Sequence, residues 1–518
     1  MLSQVLIKLL GFIYRIVLTN FKQFGDIGNS YYGSGYTVYT LILALATMGI
    51  PNTISKLVSE KIAIGDRRGA HKIFRTALGL FTIIGVGFSV LLFASSGFLA
   101  NNVLGNPGVK YTLMALSPAI IFVAMSAVFR GYFVGMQNMM EYSKAQILEQ
   151  IVNSIFSIVF VVMLFGSTPE IMAAGSTLAT TVSTSMAFFY LLRYYNKNKK
   201  DIWKDIKESK KFSLESRSKI VKKLISYVIP ISFGSIVVAL SGVIDTVTVI
   251  NGLQKFGLGI KEANEQFGIL VGKVEILNAV PLSINVAFSV ALVPFISAAI
   301  AKNRKDDALN KINFSIKISS MIALPCTAGL FLLAPQIFGL IFPNASGGAY
   351  LLQIQCFMII FSVITQTLNG ALQGIGKLYV PGACLCIGAI AKYVLNVTLI
   401  PKFGIVVPAY TTIVYNGIAC VLCFIILFRT LKEKPNIYSI IIKPLFATLA
   451  MSLNIILLEK ILSYINISQS IETVAIIVIS VIVYILSILV FKVMSNEEIS
   501  QLPYGNKICQ ALGKTKKI

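Results

Sequence analysis

Cationic side chains lie inside long apolar stretches of this 518-residue sequence, where ionisable groups are costly. In the first stretch, Lys8, Gly11 and Arg15 follow one another at helical spacing and therefore share one face of a helix. The other faces of that helix are mainly Leu, Ile and Val. An ammonium and a guanidinium that point the same way can bind phosphate oxygens, so the pattern predicts a polar cavity on that side rather than lipid.

Five further apolar stretches carry a polar stripe on one helical face, each with an ionisable residue. An ionisable side chain within a membrane span costs at least about 2.5–3.5 kcal/mol on insertion scales, so each one needs a reason to be there. These residues are Lys56, Glu149, Asp245, Glu275 and Lys392, in the second, fifth, seventh, eighth and eleventh stretches. Asp245 lies deep enough in its stretch to be buried.

Two other cations leave two interpretations open. Lys273 is in the eighth stretch, but its own helical face continues with Leu277 and Val280. It therefore either enters the cavity or extends towards the outer membrane surface. Arg130, at the inner end of the fourth stretch, is either a topology determinant or a gate residue, and we take it as the gate candidate.

The predicted cavity is net positive and favours an anionic substrate, whereas a cationic drug would favour the reverse balance. We assign substrate binding to the five cations Lys8, Arg15, Lys56, Lys273 and Lys392. We assign switching or ion coupling to the three carboxylates Glu149, Asp245 and Glu275. These carboxylates hold a Lys or Arg partner when substrate is absent, or bind a coupling proton or sodium ion.

The composition requires a membrane. Hydrophobic residues make up 56% of the chain and charged residues 13%, and the mean hydropathy is +0.80. Apolar stretches of 18 or more residues recur along the chain, which is the length needed to cross about 30 Å of hydrocarbon as a helix. We therefore predict an all-α polytopic membrane protein with about fourteen spans. The spans are expected near 2–20, 35–60, 73–98, 111–130, 143–166, 171–192, 222–250, 267–300, 311–335, 350–374, 379–400, 404–428, 440–459 and 471–491.

The formal net charge of +24 follows the predicted topology and does not indicate nucleic acid. With the N-terminus inside, the basic connection at 61–75, the linker 194–221 and the tail 495–518 all lie on the cytoplasmic side. The opposite connections hold scattered cations. We therefore predict a multi-pass protein of the inner membrane with both termini cytoplasmic. Ile202, Trp203 and Ile206 share a potential helical face of the linker among lysines, which is typical of a helix that lies on anionic lipid.

Two sequence matches about 240 residues apart indicate a duplication. FRGYFVGMQN aligns with LNGALQGIGK, which places Gly131 opposite Gly370, and a second alignment places Pro51 opposite Pro294. Each copy has six spans, so both begin inside and are related by an axis along the membrane normal. The predicted domains are an N-lobe at 1–193, the basic linker 194–221, a C-lobe at 222–430, two extra spans at 431–494 and the cytoplasmic tail 495–518.

Catalytic and metal-binding residues are not expected. The pair Cys420 and Cys423 lies in an apolar span without histidine neighbours, and the single histidine, His71, lies in a basic loop. A membrane glycosyltransferase needs carboxylates on sizeable outer loops, and the close acidic pair Glu262 and Glu265 has no partner motif. We therefore predict a chain that is not an enzyme and that needs no cofactor apart from a coupling ion, H+ or Na+.

Several stretches resemble one known group of transporters. IKLLGFIYRI, YTLILALATMGIPNTISKLVSE, FRGYFVGMQN with ILEQIVN, and IPISFGSIVVALSGVID resemble the MurJ and SpoVB branch of the multidrug/oligosaccharidyl-lipid/polysaccharide (MOP) exporter superfamily. The resemblance covers essentially the whole chain. It implies two six-helix lobes in a MATE-like V, a central cavity and two extra C-terminal helices.

The resemblance also implies a function, the flipping of the lipid-linked peptidoglycan precursor lipid II across the bacterial cytoplasmic membrane by alternating access. The partners would be an undecaprenyl-diphosphate-linked glycan and membrane lipids, and we expect a monomer. By position, Lys8 stands where the family commonly has a basic residue before L-G-F, and Arg15 lies close to its second cation. The alternatives are another undecaprenyl-linked polysaccharide, a sporulation-specific cortex precursor, or cation-coupled drug export of the MATE type.

Overall fold

The computed structural model of the chain describes residues 2–47, 49–209, 212–213, 215–301, 305–344, 346–433, 435–464, 468–495 and 498. Within these ranges the chain is helical, with short connections and no strand. The predicted all-α fold class is therefore confirmed. The predicted tail 495–518 lies outside the described residues except for Ser495 and Glu498.

The described residues form twenty α-helices and three π-helical turns. In chain order the α-helices are α1 Leu2–Asn20, α2 Gly25–Ala46, α3 Ile50–Ala63, α4 Arg67–Phe98, α5 Val109–Leu116, α6 Ala119–Gly135, α7 Met139–Met163, α8 Pro169–Lys197, α9 Lys199–Glu208, α10 Arg217–Phe256, α11 Ile260–Ile269, α12 Glu275–Ala301, α13 Lys305–Leu332, α14 Ala334–Ile341, α15 Ala349–Gln355, α16 Met358–Gly374, α17 Val380–Phe403, α18 Val406–Leu431, α19 Lys443–Leu462 and α20 Gln469–Val490. The π-helical turns are Leu99–Val103, Leu270–Val274 and Tyr438–Ile442.

Many of these helices are long and apolar enough to cross a membrane. Among the described residues, eleven helical stretches meet that description, or up to twelve if the bent pair α15 and α16 counts as one span. Two further predicted spans coincide with α1 and α8, which lie outside this set. In α8, numerous Ser and Thr side chains reduce the hydropathy. The multi-pass architecture is thereby established, and the count of fourteen stays a prediction.

The second predicted span, 35–60, differs most from the structure. Its helix begins ten residues earlier, at Gly25, and is interrupted before α3 starts at Ile50. Pro51 occupies the first turn of α3, where a missing backbone N–H costs little. Gly49 lies in the interruption, and a Cβ there would be 2.7 Å from the carbonyl oxygen of Val228. The break therefore lets α10 approach the backbone closely.

The chain divides into two compact units. The first contains Met1–Ile276 and Leu385–Thr411, and the second contains Leu277–Cys384 and Thr412–Ile518. This division differs from the predicted lobes because the first unit also takes up α10, α11 and much of α17. Within that unit α10 and α11 pack along α2, which joins parts of both predicted lobes into one body.

The glycines that aligned in the predicted repeat have the same role in each unit. In the first unit, a Cβ on Gly131 of α6 would lie 2.8 Å from both the Cβ of Ile54 and the carbonyl oxygen of Pro51, in α3. In the second unit, a Cβ on Gly370 of α16 would lie 2.5 Å from the carbonyl oxygen of Ser289, in α12. Each copy therefore needs glycine for one close helix contact, as a duplication predicts. The side chain of Pro294 lies outside the described residues.

The linker helix α9 contacts protein through part of its apolar face. Ile206 is buried, and the Trp203 ring lies 5.5 Å from the His71 ring of α4. Trp203 is 39% exposed, so the placement of this face on lipid stays a prediction. After α9, Glu215 accepts from Lys223 at 2.7 Å and pairs with Lys61 at 3.3 Å. The hydrogen bond from Lys223 and the nearby Lys61 hold the pKa of Glu215 below its usual range.

We expect Gly131→Ala to lower the midpoint of thermal unfolding of the purified protein. The added methyl group would overlap α3, and overpacking of this kind costs about 1–3 kcal/mol. Gly79→Ala in α4 is the matched control, because a Cβ at Gly79 meets nothing within 4 Å. A control midpoint as low as that of Gly131→Ala would contradict this explanation.

Candidate functional site

Arg15 is held on α1 by an aromatic contact with α2. Its guanidinium carbon lies 4.2 Å from the centre of the Tyr32 ring, a cation–π contact. The Tyr32 and Tyr14 hydroxyls hydrogen-bond at 3.0 Å, which fixes the ring. The Nη1 atom of Arg15 is buried and has no hydrogen-bond partner among the described residues. The guanidinium of Arg15 is therefore fixed in position, and one of its nitrogens has no hydrogen-bond partner among these residues.

Lys8 lies two helical turns before Arg15 on the same face of α1. Its side chain is exposed and forms no ion pair within the described ranges. The face continues at Gly11, where a Cβ would lie 3.5 Å from the side-chain amide nitrogen of Gln150. Lys8 and Arg15 thus form a strip of two cations beside α7.

Asp245 and Lys392 form a buried ion pair between α10 and α17. The Lys392 Nζ donates to Asp245 Oδ2 at 2.5 Å, and both side chains are almost completely buried. Asn396 donates to Asp245 Oδ1 at 3.0 Å and to Thr248 Oγ1 at 2.9 Å. Thr411 donates to Asn396 Oδ1 at 2.6 Å. Both carboxylate oxygens therefore have partners within a network of neutral groups and one ammonium.

Glu275 is close both to this network and to Arg15. It is the first residue of α12, and its side chain is exposed. It lies close enough to Asp245, Lys392 and Arg15 to interact electrostatically with all three. No hydrogen bond to its carboxyl group occurs among the described residues, so this group is accessible beside one carboxylate and two cations.

Lys273 is fully buried, with 0% of its side chain exposed, and pairs with Asp26 of α2. The distance from Lys273 Nζ to Asp26 Oδ2 is 2.8 Å. Glycine makes the approach possible, because a Cβ on Gly268 would lie 1.7 Å from the Asp26 carbonyl oxygen and one on Gly272 would lie 2.4 Å from the side chain of Asn29. Lys273 was predicted either to enter the cavity or to extend towards the outer membrane surface. In the structure its side chain is buried against Asp26, so it does not extend towards that surface.

The same end of the first unit is closed by neutral hydrogen bonds. The Asn264 Oδ1 of α11 accepts from Ser30 Oγ and from Asn106 Nδ2, each at 2.6 Å. Asn251 of α10 donates to the carbonyl oxygen of Val103 at 3.2 Å. All of these residues lie at connections that the predicted topology places outside. Helices α2, α10 and α11 are therefore joined at the end that we predict to be outer.

Arg130 and Glu149, predicted as gate and switch residues, form an ion pair between α6 and α7. The Nε of Arg130 is buried without a hydrogen-bond partner in the described part of the chain. Lys56 of α3 is exposed, and its Nζ lies 4.3 Å from the centre of the Tyr227 ring of α10. Of the predicted site residues, the structure brings Arg15, Asp245 and Lys392 close to Glu275, whereas Arg130, Glu149 and Lys56 have partners elsewhere. The assigned roles stay predictions.

Two charged residues were absent from the predicted set. Asp26 lies upstream of the predicted span 35–60, in the first turn of α2, where the helix dipole favours a carboxylate. Lys317 of α13 is buried in the second unit and donates to Glu498 at 2.6 Å. Lys317 lies within the predicted span 311–335. An ionisable side chain inside a span is costly, so the argument that marked Lys8 as a candidate applies to Lys317 as well.

Two solved membrane transporters share this fold. A solved multidrug resistance MATE family transporter of the MOP superfamily, in an inward-facing conformation, superposes with a TM-score of 0.69 over 83% of this chain and 94% of that one. The lipid II flippase MurJ in an inward closed conformation superposes with a TM-score of 0.68 over 95% of this chain and 98% of that one. Each is 16% identical, so these likenesses concern the fold alone.

Sequence comparisons identify the family. The family model described as polysaccharide biosynthesis protein matches residues 1–300, and that described as lipid II flippase MurJ matches residues 275–475. In Bacillus subtilis (strain 168), the lipid II flippase MurJ is 28% identical over 416 residues, covering 76% of this chain and 74% of the relative. Stage V sporulation protein B of the same organism is 25% identical over 508 residues, covering 96% and 95%.

The chain belongs to the polysaccharide biosynthesis protein family, whose model matches more than half of it, and is similar to the MurJ and stage V sporulation protein B relatives. The resemblance drawn from its motifs is confirmed. Flippases and transporters are its relatives, and the prediction that it is not an enzyme is confirmed with them. It is a multi-pass protein of a bacterial membrane.

We expect Asp245→Asn and Lys392→Met each to lower the thermal stability strongly, because each leaves one buried charge without its partner. Such a loss typically costs about 3–5 kcal/mol. The double variant should lose less than the sum of the two single losses, since no unpaired charge remains. Thermal unfolding of the purified variants measures this coupling, with Lys255→Met as an exposed control. Strictly additive losses would show that the ion pair does not stabilise the fold.

Proposed function

We propose that the protein flips lipid II, or a closely related undecaprenyl-diphosphate-linked glycan, across the bacterial cytoplasmic membrane by alternating access. The observation that carries the proposal is the cationic strip of Lys8 and Arg15 beside α7. Its spare donors suit the oxygens of a diphosphate, which carries several negative charges next to its sugar. MurJ-family flippases handle lipid-linked glycans in the membrane, which supports the same substrate class.

The paired charges have a different role in this proposal. Lys392 already neutralises Asp245, so we propose that this pair holds α17 against α10 and that Glu275 is the coupling carboxylate. Glu275 is exposed and lies near Arg15, so its affinity for a proton or sodium ion changes when an anionic headgroup reaches that cation. Lys392 is then a structural cation and not a substrate ligand.

Alternating access requires an end that closes and opens. In the described state, the Asp26–Lys273 ion pair and the hydrogen bonds of Asn264 join α2 to the region around α11. We propose that this end faces outwards, that it separates when the headgroup is released, and that a monomer with cytoplasmic termini carries out the cycle. A few hydrogen bonds and one ion pair suit a contact that must break repeatedly.

A second candidate is export of a drug by cation coupling. The fold likeness to the MATE family transporter favours it. The Lys8–Arg15 strip argues against it, because a positive lining repels cationic drugs. Reconstituted transport of a cationic dye, compared with an undecaprenyl-diphosphate-linked glycan, separates the two candidates.

We expect Lys8→Ala and Arg15→Ala to abolish complementation of a bacterial strain that lacks its own lipid II flippase. Each change removes a cation that we assign to the diphosphate. Lys255→Ala, an exposed lysine at the end of α10, is the matched control and should complement normally. Membrane abundance of every variant is measured in parallel. Full complementation by both strip variants at normal abundance would refute the assignment.

We expect a covalent link across the closed end to block transport. Ser30→Cys combined with Asn264→Cys, in a background without the native cysteines, places two thiols where the side-chain oxygens are now 2.6 Å apart. A short thiol cross-linker should stop flipping in proteoliposomes, and a reductively cleavable version should restore it. The single-cysteine variants serve as controls. Normal flipping by fully cross-linked protein would contradict opening at this end.

A further inference from the structure

Three tyrosines form a continuous aromatic row on one face of α2. Tyr32, Tyr36 and Tyr39 are spaced by four and three residues, which places them on the same side of a helix. The Tyr32 and Tyr36 ring centres are 5.6 Å apart with planes inclined by 12°, a stacked arrangement. The Tyr36 and Tyr39 ring centres are also 5.6 Å apart, with planes inclined by 54°.

The row is buried at its ends and open in the middle. Tyr32 and Tyr39 are 4% and 1% exposed, whereas Tyr36 is 37% exposed. The Tyr14 hydroxyl bonds to Tyr32 from α1 and fixes that ring further. Tyr36 is therefore a large aromatic surface that its two neighbours hold in place, and its remaining surface is free to receive a ligand.

Charged groups flank this open ring. Arg15 covers Tyr32, the next ring along the row, at 4.2 Å and lies within electrostatic range of Tyr36. Glu149 of α7 is within electrostatic range of Tyr36 as well. An exposed aromatic ring thus has a guanidinium and a carboxylate within electrostatic range.

We propose that Tyr36 is a stacking platform for a sugar ring of the transported lipid, an inference that rests on the proposed function. A pyranose has an apolar face of C–H groups that packs on the negatively polarised face of an aromatic ring. The Tyr36 ring centre lies 5.6 Å from that of Tyr32, the tyrosine that holds Arg15. This separation is close to that between a diphosphate and the sugar directly attached to it.

The chemistry of the site favours sugar over the polyprenyl tail as the occupant. A tail is best accommodated by aliphatic side chains away from charge, because charged groups beside it lose hydration without compensation. Here the ring carries a hydroxyl and stands beside Arg15 and Glu149, whose polar atoms can bind sugar hydroxyl groups. The platform therefore recognises the glycan part of the substrate, and Arg15 the diphosphate.

The test compares two probes on the purified full chain in nanodiscs. They are undecaprenyl diphosphate alone and undecaprenyl diphosphate that carries one N-acetylated hexosamine. Tyr36→Leu should weaken binding of the sugar-bearing lipid by about five- to tenfold and leave binding of the bare lipid unchanged. Tyr36→Phe, which keeps the ring, should bind both lipids nearly as the unaltered protein does. Tyr111→Leu is the control for loss of an exposed tyrosine.

Unchanged binding of the sugar-bearing lipid by Tyr36→Leu would overturn the platform, and so would an equal loss for both lipids, which indicates contact with the tail. Equal affinity of the unaltered protein for the two lipids would overturn the platform and leave the proposed function standing. Failure of the unaltered protein to bind either lipid would overturn the proposed function and the platform with it. Tyr36→Gln provides the same comparison where the leucine variant does not fold.

Discussion

A charge in the hydrocarbon part of a membrane is stable when an opposite charge or several hydrogen bonds lie against it. This constraint organises the first unit, since it ties Lys392 to Asp245 and Lys273 to Asp26 across more than a hundred residues of sequence. Helices that carry such partners must approach closely enough for an ammonium to reach a carboxylate. The positions of α2, α10 and α17 within the unit follow from that requirement.

Close approach of helices also depends on where glycine occurs. Gly268 and Gly272 lie so near the backbone and side chains of α2 that a methyl group would overlap Asp26 and Asn29. Any larger residue would move Lys273 away from its carboxylate. The ion pair and the glycines are thus parts of one contact. The small residues allow the helices to approach closely, and the opposite charges attract each other across that contact.

Pairing divides the intramembrane charges into two groups with different uses. Asp245 and Lys392 satisfy each other and are available for positioning helices. In the described part of the chain, Lys8 and Glu275 are exposed, and Arg15 keeps one guanidinium nitrogen without a hydrogen-bond partner. A transporter needs both groups, because ion pairs hold its helices in defined positions while unpaired cations attract an anionic substrate. The substrate site is therefore expected at the charges that have no ion-pair partner.

The sequence by itself determined the helical membrane class, the family and the shared helical face of Lys8 and Arg15, because hydropathy and helical spacing are local properties of a chain. It also predicted an internal repeat from the placement of glycine and proline. It also indicated Asp245 and Lys392 as intramembrane charges. Which charges are partners was decided by the tertiary structure, since a pair such as Lys273 and Asp26 depends on a contact between helices far apart in sequence. The same holds for Tyr36: helical spacing predicts a row of tyrosines, but packing against Tyr32 and Tyr39 decides which ring stays open.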